Sequence, residues 1–553
     1  VFCIIFCSII TFLIFTLACK IIGADVMEAC VPVHIMRMIM NNFYPETIIE
    51  KSDGITDAEK YLNELSEKTF LSLWSYPNLY TDQNKKNETS VGKELCDLLV
   101  IFENHIIIFS DKNCNFNDIP SGKLSDKELN IKWKRWYKKS IEKSAGQIYK
   151  AEDWIRNHSD RIFLDDKCKK RFPFDIANKK DVIIHRIVVT HSIADICKKY
   201  TGNKYGSFFI DSNIIGSEQE FSIGYINEYK KFVHILNDFS LNLLMKELDT
   251  APDFINYLTR KEDLFKKTNV VAFGEEDMLA QYLSITDDNG IHNFIDKNNN
   301  DFFYKGNSEH NLIIFENGAW ENIINNIQYL NKKKADKISY AWDYLLEKSI
   351  KHYMSGTQLY KNELTNMNED MQMFTILSSF NRFERRYIAK SIITFVKMIG
   401  KGERGTRQIL LNNNIILLIA IIPRDITRDI TDEKVFREKR RNLLEKYVIA
   451  SKIEHMFINK FIGLAIESID SPNESEDFMY LDTADWNDDD IKKAKEIKNS
   501  LIQANLLKER NVKMAQVEEY PTINFDVKMN GKNRNKPCPC GSGKKFKNCC
   551  GKY

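Results

Sequence analysis

Four cysteines close to the C-terminus have the spacing of a zinc site. Cys538 and Cys540 form a Cys-x-Cys pair, and Cys549 and Cys550 follow after a connector rich in Gly and Lys. Four thiolates at one point satisfy the tetrahedral, all-sulfur coordination of structural zinc. Such a site has no open coordination position, so the spacing predicts a structural Zn²⁺ ion. A disulfide is a poor alternative, because adjacent cysteines rarely bridge to each other without strain.

The run from Cys538 to Tyr553 resembles the SEC-C motif, the zinc tail first described at the C-terminus of the preprotein translocase ATPase. Many members carry His at the last ligand position, where this chain has Cys550. SEC-C tails are appended to many unrelated proteins, and the translocase tail contacts an export chaperone and phospholipid. The resemblance therefore implies docking of a protein partner. The Lys and Arg residues of 532–552, with no acid among them, suit an acidic partner or nucleic acid.

A second group of residues suited to chemistry lies on a predicted β-hairpin. Residues 94–102 and 105–112 are rich in apolar and β-branched side chains, and only Glu103-Asn104 separates them. This pattern predicts two antiparallel strands. Asp97 lies on the first strand and Lys112 at the end of the second.

Two predicted helices flank the hairpin. A helical pattern over residues 58–70 precedes it, and we expect Pro77-Asn78 to terminate that helical region. A basic helix over 133–155, which contains Gln147, follows the hairpin. This order of elements resembles the PD-(D/E)XK nuclease superfamily over roughly a hundred residues. It consists of a helix, a strand with Asp, a hairpin strand that ends in x-x-Lys, and a helix with Gln.

The resemblance implies a role for each matching residue. In that superfamily an Asp and a second carboxylate hold Mg²⁺, which activates a water and stabilises the leaving oxygen, while a lysine positions the water. Carried over, Asp97 is the Mg²⁺ ligand and Lys112 the catalytic lysine. Glu64 or Glu67 matches the acid that is frequent on the first helix, and Gln147 matches a polar residue of the following helix.

The second carboxylate is where the chain departs from the family pattern. Residues two apart on a strand share a face, so the family's acid should occupy Ser110, which cannot supply the charge. Three alternatives remain. Glu142 could come from the next helix, as in superfamily members with Ser-x-Lys, Asp111 could rotate inward, or Glu94 could contribute from the strand of Asp97. If none does, the fold is that of a non-catalytic relative.

The basic helix has side chains suited to nucleic acid. Its cations could meet phosphates and its aromatic rings could stack on bases, although a solvated face with the rings packed inward explains the same letters. The cations are Lys132, Lys134, Arg135, Lys138, Lys139 and Lys143, and the aromatic residues are Trp133, Trp136 and Tyr137.

The rest of the chain has structural rather than chemical patterns. Residues 181–189 read as a buried strand in which His185 is a core histidine. Asp253 is expected to be a helix N-cap, and the acids of 275–277 suit the first turn of a helix. Strand, helix and strand patterns indicate a small α/β unit over 405–510. The acidic stretch 474–490 is expected to be loop and helix cap.

These patterns give an α/β (α+β) multi-domain fold class. It comprises a restriction-endonuclease-like N-terminal domain, a mixed helical and α/β middle and a small zinc knuckle. The predicted boundaries are an apolar segment at 1–26, a PD-(D/E)XK nuclease-like domain at 27–172, a mixed region at 173–404, a small α/β unit at 405–511, a linker at 512–534 and the SEC-C motif at 535–553.

Composition limits the location and the partners. The 553 residues carry a net charge of +2, so nucleic acid would need a local basic surface. Thiolate zinc ligands favour a reducing, cytoplasmic compartment. Residues 1–19 are uncharged and long enough to cross a bilayer, which leaves a membrane anchor with a cytoplasmic body, or an extension outside the working protein, as alternatives.

Two functions remain open at this point. The first is a Mg²⁺-dependent nuclease with a zinc-binding docking tail. The second is a non-catalytic zinc-binding adaptor for a chaperone or a translocation-related partner. They differ in whether a second carboxylate approaches Asp97.

Overall fold

The computed structural model of the chain has a mixed α/β architecture with several open sheets, which confirms the predicted fold class at that level. It describes residues 49–87, 89–118, 122–179, 181–227, 231–287, 290–295, 312–357, 367–400, 402–411, 414–424, 432–468, 475–507, 517–521, 534–536 and 545–548. The chain divides into a larger unit, residues 47–334, 378–382 and 518–553, and a smaller unit that includes residues 335–377 and 383–517.

A six-stranded sheet forms the centre of the larger unit. Its strands are β1 (Ser75–Thr81), β2 (Lys93–Phe102), β3 (His105–Asn113), β4 (Ile162–Phe163), β5 (Ile183–His191) and β8 (His234–Asn237). Strands β1 to β3 form an antiparallel meander, and β5 and β8 then add in parallel to β3. The sheet takes strands from both sides of residue 172. The order of the strands across the sheet is β4-β1-β2-β3-β5-β8.

Three helices position the sheet residues discussed below. Helix α1 (Asp57–Phe70) begins with a capping box, in which Thr56 and Glu59 satisfy each other's backbone N–H groups. Helix α2 (Asp126–Tyr137) continues through a π-helical turn into α3 (Lys143–Asn157). Helix α3 packs against β3 and β5, so it crosses over the parallel pair that it connects.

The predicted hairpin and both flanking helices are confirmed, but the role given to Pro77-Asn78 is wrong. These residues lie inside strand β1. Asn78 adopts a left-handed backbone conformation there, with φ of 49°. Asn tolerates this conformation better than most residues, so β1 bends at Asn78 without ending.

A second sheet of the larger unit contains β6 (Phe209–Ile215), β7 (Ser222–Tyr225), β9 (Asn269–Ala272) and β10 (Leu312–Phe315). The order of its strands is β10-β9-β6-β7. The remaining helices of this part of the chain are α4 (Ala194–Thr201), α5 (Asp238–Glu247), α6 (Ala251–Lys267), α7 (Glu275–Ser284), α8 (Ala319–Ile324) and α9 (Ile327–Asp336).

The smaller unit contains the predicted strand–helix–strand order. Strands β12 (Ile415–Ile421) and β13 (Lys460–Ile466) are parallel, and α13 (Glu433–Glu454) connects them and packs on them. The edges of this sheet are β11 (Gly405–Leu411) and β14 (Glu476–Asp482). The other helices are α10 (Tyr340–Met354), α11 (Met367–Ser378), α12 (Arg382–Met398) and α14 (Asp488–Gln503).

Three further expectations have clear outcomes. The acids of 275–277 do occupy the first turn of α7. Thr250, not Asp253, is the N-cap of α6, and its hydroxyl accepts from the backbone N–H of Asp253. The acidic stretch 474–490 is not only loop and cap, because strand β14 lies within it.

Within the described ranges no helix is both long and apolar enough to cross a bilayer. Residues 1–19 lie outside those ranges.

Candidate functional site

A β-bulge in strand β2 determines where its acids lie. In the β1–β2 pairing Leu79 is opposite Cys96 while Tyr80 is opposite Glu94, so Leu95 is an extra residue on β2. Leu95 and Cys96 are consecutive and both buried. Such a bulge shifts the alternation of side chains by one residue. Glu94 and Asp97, three residues apart, therefore line the same cleft.

Asn78 holds Glu94 in place. It is fully buried and lies opposite the Asp97 region of β2, and its Nδ2 donates to Glu94 Oε1 over 2.8 Å. The same amide nitrogen lies 3.2 Å from Oε2 of Glu59 on α1. Glu59 Oε2 also accepts the backbone N–H of Thr56 over 3.0 Å. Glu59 is thus a third acid beside the site, already engaged in capping α1.

The cleft lies between helix α3 and strands β1, β2 and β3 of the sheet, and its volume is about 500 Å³. Strand β2 contributes Glu94 and Asp97, and β3 contributes Ser110. Gln147 enters from α3, and two lysines, Lys93 and Lys150, lie on opposite walls. The cleft therefore combines carboxylates with cations and is open to solvent.

The electrostatic environment of Asp97 is unfavourable for a negative charge. Burial, together with the nearby charges of Glu94, Asp111 and Glu59, raises the pKa of this carboxyl to about 7, against the lowering effect of the Asp111 backbone N–H. That N–H donates to Asp97 Oδ2 over 2.5 Å. A carboxylate among other acids in a cleft has the electrostatics of a functional site.

Ser110, Gln147 and Lys112 occupy the positions that the hairpin predicts. Ser110 lies next to Asp97 in the cleft, and its hydroxyl donates to Gln147 Oε1 over 3.3 Å. Lys112 follows two residues later on β3, so it shares the face of Ser110. It lies close enough to Glu94 to lower the pKa of that carboxyl, which burial raises. The structure thus brings four of the site residues proposed from sequence, Glu94, Asp97, Lys112 and Gln147, to one end of the β2–β3 hairpin, beside Ser110.

The Asp111 carboxylate has another partner. Its Oδ1 is hydrogen-bonded to His191 Nε2 at the end of β5, and His191 Nδ1 is hydrogen-bonded to Asp238 at the start of α5. Burial would lower the pKa of His191, but the two carboxylates outweigh it and raise the pKa to about 10. The inward rotation considered for Asp111 is not what the structure has. Its backbone N–H donates to Asp97, and its carboxylate acts on Asp97 electrostatically.

The other acids considered from sequence lie elsewhere. Glu142 is in the π-helical turn between α2 and α3 and does not line the cleft. Glu64 is exposed, and Glu67 forms an ion pair with Lys51 over 2.7 Å. Glu59, a turn earlier on α1, is the helix acid that approaches Asp97 electrostatically. Sequence reasoning did not select Glu59 as a site residue, because its place in the capping box of α1 already accounts for it structurally.

The aromatic residues of α2 do not form a stacking surface. Trp133, Trp136 and Tyr137 are buried, and Trp133 packs against Trp136, Phe208 and Phe221. The expectation that these rings stack on bases is wrong. The inward aromatic face weighed against it is what the helix has, with Lys134, Arg135, Lys138 and Lys139 exposed on its outer side.

The proposed zinc ligands Cys538, Cys540, Cys549 and Cys550 lie outside the described residues. The described parts of the tail meet, because the backbone N–H of Phe546 donates to the carbonyl of Lys536 over 2.9 Å. Phe546 begins a short 3₁₀ turn that ends at Asn548. This contact brings together the segments that lead into the two cysteine pairs.

Comparison with known proteins identifies the tail. The SEC-C motif family model matches residues 534–552. No solved structure matches this chain. The chain therefore carries a SEC-C motif at its C-terminus, of a kind that generally binds metal.

Proposed function

We propose that the larger unit is a Mg²⁺-dependent nuclease whose site is the cleft around Asp97. The observation that carries this proposal is the pair of acids on β2, Glu94 and Asp97, which line one cleft beside Gln147. Lys112 lies close enough to Glu94 to lower the pKa of that carboxyl, which burial raises. Two carboxylates, a lysine and a polar helix residue are the groups that the resemblance to the PD-(D/E)XK superfamily implies.

The order of elements supports the proposal. Helix α1 precedes the sheet, Asp97 and Lys112 lie on successive strands of one hairpin, and Gln147 lies on the helix that follows. Ser110 stands where the superfamily has its second acid. In our proposal Glu94, moved onto the cleft by the bulge, replaces that acid.

The donor set fits a hard divalent cation. Mg²⁺ prefers carboxylate oxygens and is bound by one or two carboxylates together with substrate phosphate, and here Asp97 and Glu94 would hold it. A bound ion would supply charge neutralisation and a more acidic water. The raised pKa of Asp97 fits this role, because a cation relieves repulsion between like charges.

The protein's own groups would divide the remaining tasks. Asn78 orients Glu94 through its 2.8 Å hydrogen bond. Lys112 would stabilise negative charge that develops on a phosphate, while Lys93 and Lys150, on the walls of the cleft, would bind the neighbouring backbone phosphates. Such contacts carry no sequence information, so we expect cleavage with little base preference.

The test is cleavage of plasmid, single-stranded DNA and RNA by the full chain with and without Mg²⁺. Asp97→Asn keeps the shape and an oxygen that can accept the Asp111 N–H, and Lys112→Met keeps the stem of the lysine. We expect each change to abolish cleavage. Matched controls are Asp126→Asn and Lys127→Met on the exposed side of α2, which should cleave as the wild type does.

Glu94 is tested separately from Glu142. If Glu94 is the second ligand, Glu94→Gln should lose activity and Glu142→Gln should keep it. Equal background cleavage by all of these proteins, with no Mg²⁺ binding by calorimetry, would overturn the nuclease proposal. The non-catalytic adaptor would then be the better hypothesis.

We also propose that the SEC-C tail binds one Zn²⁺ through Cys538, Cys540, Cys549 and Cys550 and docks an acidic partner. The contact between Lys536 and Phe546 supports this, because these residues belong to the segments that precede the two cysteine pairs in the sequence. Serine at Cys549 and Cys550 should lower the zinc content of the full chain by one equivalent. An unchanged zinc content would contradict this assignment.

A further inference from the structure

A group of buried histidines and a glutamate joins three elements of the larger unit. His185 comes from β5, His234 from β8 and Glu262 from α6. The two histidines are 0% and 1% exposed, and Glu262 is 8% exposed. Neither the SEC-C tail nor the cleft around Asp97 includes any of these side chains.

The three side chains present their donor atoms to one point. Glu262 Oε1 lies 2.7 Å from His185 Nδ1 and 3.1 Å from His234 Nε2. All three donor atoms lie within 4.8 Å of one another. A tetrahedral Zn²⁺ with bonds of about 2.0–2.1 Å separates its ligand atoms by roughly 3.3 Å. Small rotations of these side chains would reach that spacing.

A fourth residue supports the group from outside. His105 Nδ1 lies 2.9 Å from the other ring nitrogen of His185, Nε2, and the two rings are stacked with an interplanar angle of 5°. A histidine that binds metal through one nitrogen usually has the other nitrogen hydrogen-bonded, which fixes the ring and its tautomer. His185 has this arrangement, with Nδ1 toward Glu262 and Nε2 toward His105.

We propose that His185, His234 and Glu262 bind a divalent transition-metal ion, with Zn²⁺ the best match, at a site separate from the C-terminal tail. Imidazole nitrogens favour such ions over Mg²⁺ or Ca²⁺. The ligands are buried, so the ion is structural rather than catalytic. It ties α6 to β8, a four-residue strand at the edge of the sheet that pairs with β5.

This proposal does not depend on nuclease activity. His105 begins β3 while Lys112 is near its end, so the metal site and the cleft lie at opposite ends of that strand. Loss of the buried metal is therefore measured as metal content and stability.

The experiment uses the full chain with all four tail cysteines changed to serine, which removes the zinc of the tail. Inductively coupled plasma mass spectrometry after gel filtration should find one equivalent of zinc or another first-row divalent metal. Further change of His234→Gln or Glu262→Gln should remove it. The matched control is His191→Gln, which removes another histidine of β5 that is hydrogen-bonded to Asp111 and Asp238 and should keep the metal.

A second measurement covers variants that fail to fold. In the chain that lacks the four tail cysteines, Co²⁺ should give the visible d–d absorption of a nitrogen and oxygen site without thiolate charge-transfer bands. A strong chelator should lower the melting temperature of this variant, and Zn²⁺ should restore it. If the variant folds, binds no metal after incubation with Zn²⁺ and melts identically with and without chelator, the proposal is overturned.

Discussion

Replacing Asp97 with asparagine should stabilise the protein above neutral pH while abolishing its function. The pKa of Asp97 is about 7 in the folded protein, against 3.8 for an ordinary aspartate. The folded state therefore holds this proton more tightly than the unfolded state, and the wild type loses stability as pH rises from about 4 to about 7. Asparagine does not titrate, so the variant escapes this loss.

The magnitude follows from the difference in pKa. A difference of about 3 corresponds to about 4 kcal/mol at 1.36 kcal/mol for each pKa unit. Asp97 lines an open cleft, where water screens its charge, so we expect about 2 kcal/mol. In a unit of this size that gain raises the melting temperature by about 2–6 °C. The gain should shrink as the pH falls below about 7 and nearly vanish at about pH 4, where the carboxyl becomes protonated in the unfolded state as well.

The assay is thermal unfolding of wild type and Asp97→Asn between about pH 4 and about pH 8.5, which spans both pKa values of the carboxyl. Asp153→Asn is the matched control, because it removes an exposed carboxylate from the same cleft. Mg²⁺ at pH 8.5 should narrow the gap by stabilising the wild type alone. The reasoning is refuted if Asp97→Asn is the less stable protein at pH 8.5, or if its advantage is the same at every pH.

Three further predictions concern the two units separately. His191→Gln should destabilise the protein at pH 6 and have a smaller effect at pH 10.5. The pKa of His191 is raised to about 10, so the stabilisation that its positive charge gives the folded protein is lost above that pH. Melting curves at both pH values test this prediction. Glu152→Gln should lower the free energy of unfolding by about 3 kcal/mol, since it leaves Arg186 buried without its carboxylate partner. A denaturant titration with the same midpoint as the wild type would contradict this prediction. In the smaller unit, Arg440→Met should cost about 3 kcal/mol, because Arg440 and Asp477 form a buried ion pair; a loss below the error of the titration would mean that other partners compensate.

The hairpin was predictable because its signal is local. Apolar residues on both sides of Glu103-Asn104 leave one reasonable pairing, and the strands β2 and β3 begin and end within about one residue of the prediction. The positions of Asp97, Ser110 and Lys112 follow from that pairing and from strand alternation. Gln147 followed from the resemblance, since the helix after the hairpin packs over β3.

The missed features depend on contacts that no local pattern encodes. The bulge at Leu95 breaks the alternation used to assign faces, and Asn78 bends β1 where Pro77-Asn78 read as a terminator. His191 is the partner of Asp111 because β5 pairs in parallel with β3 from eighty residues away. Without that pairing nothing in the sequence indicates which way the Asp111 carboxylate turns.

The bulge at Leu95 also has a consequence for how this site could evolve. Strict alternation would require Glu94 and Asp97 to face opposite sides of the sheet, so insertion of one residue moves a charge across the sheet without changing its identity. An acid supplied in this way is on a different strand from Lys112 and can vary independently of it. Gain or loss of a single codon, rather than substitution of an acid, would then convert an inert relative into an active one or silence it.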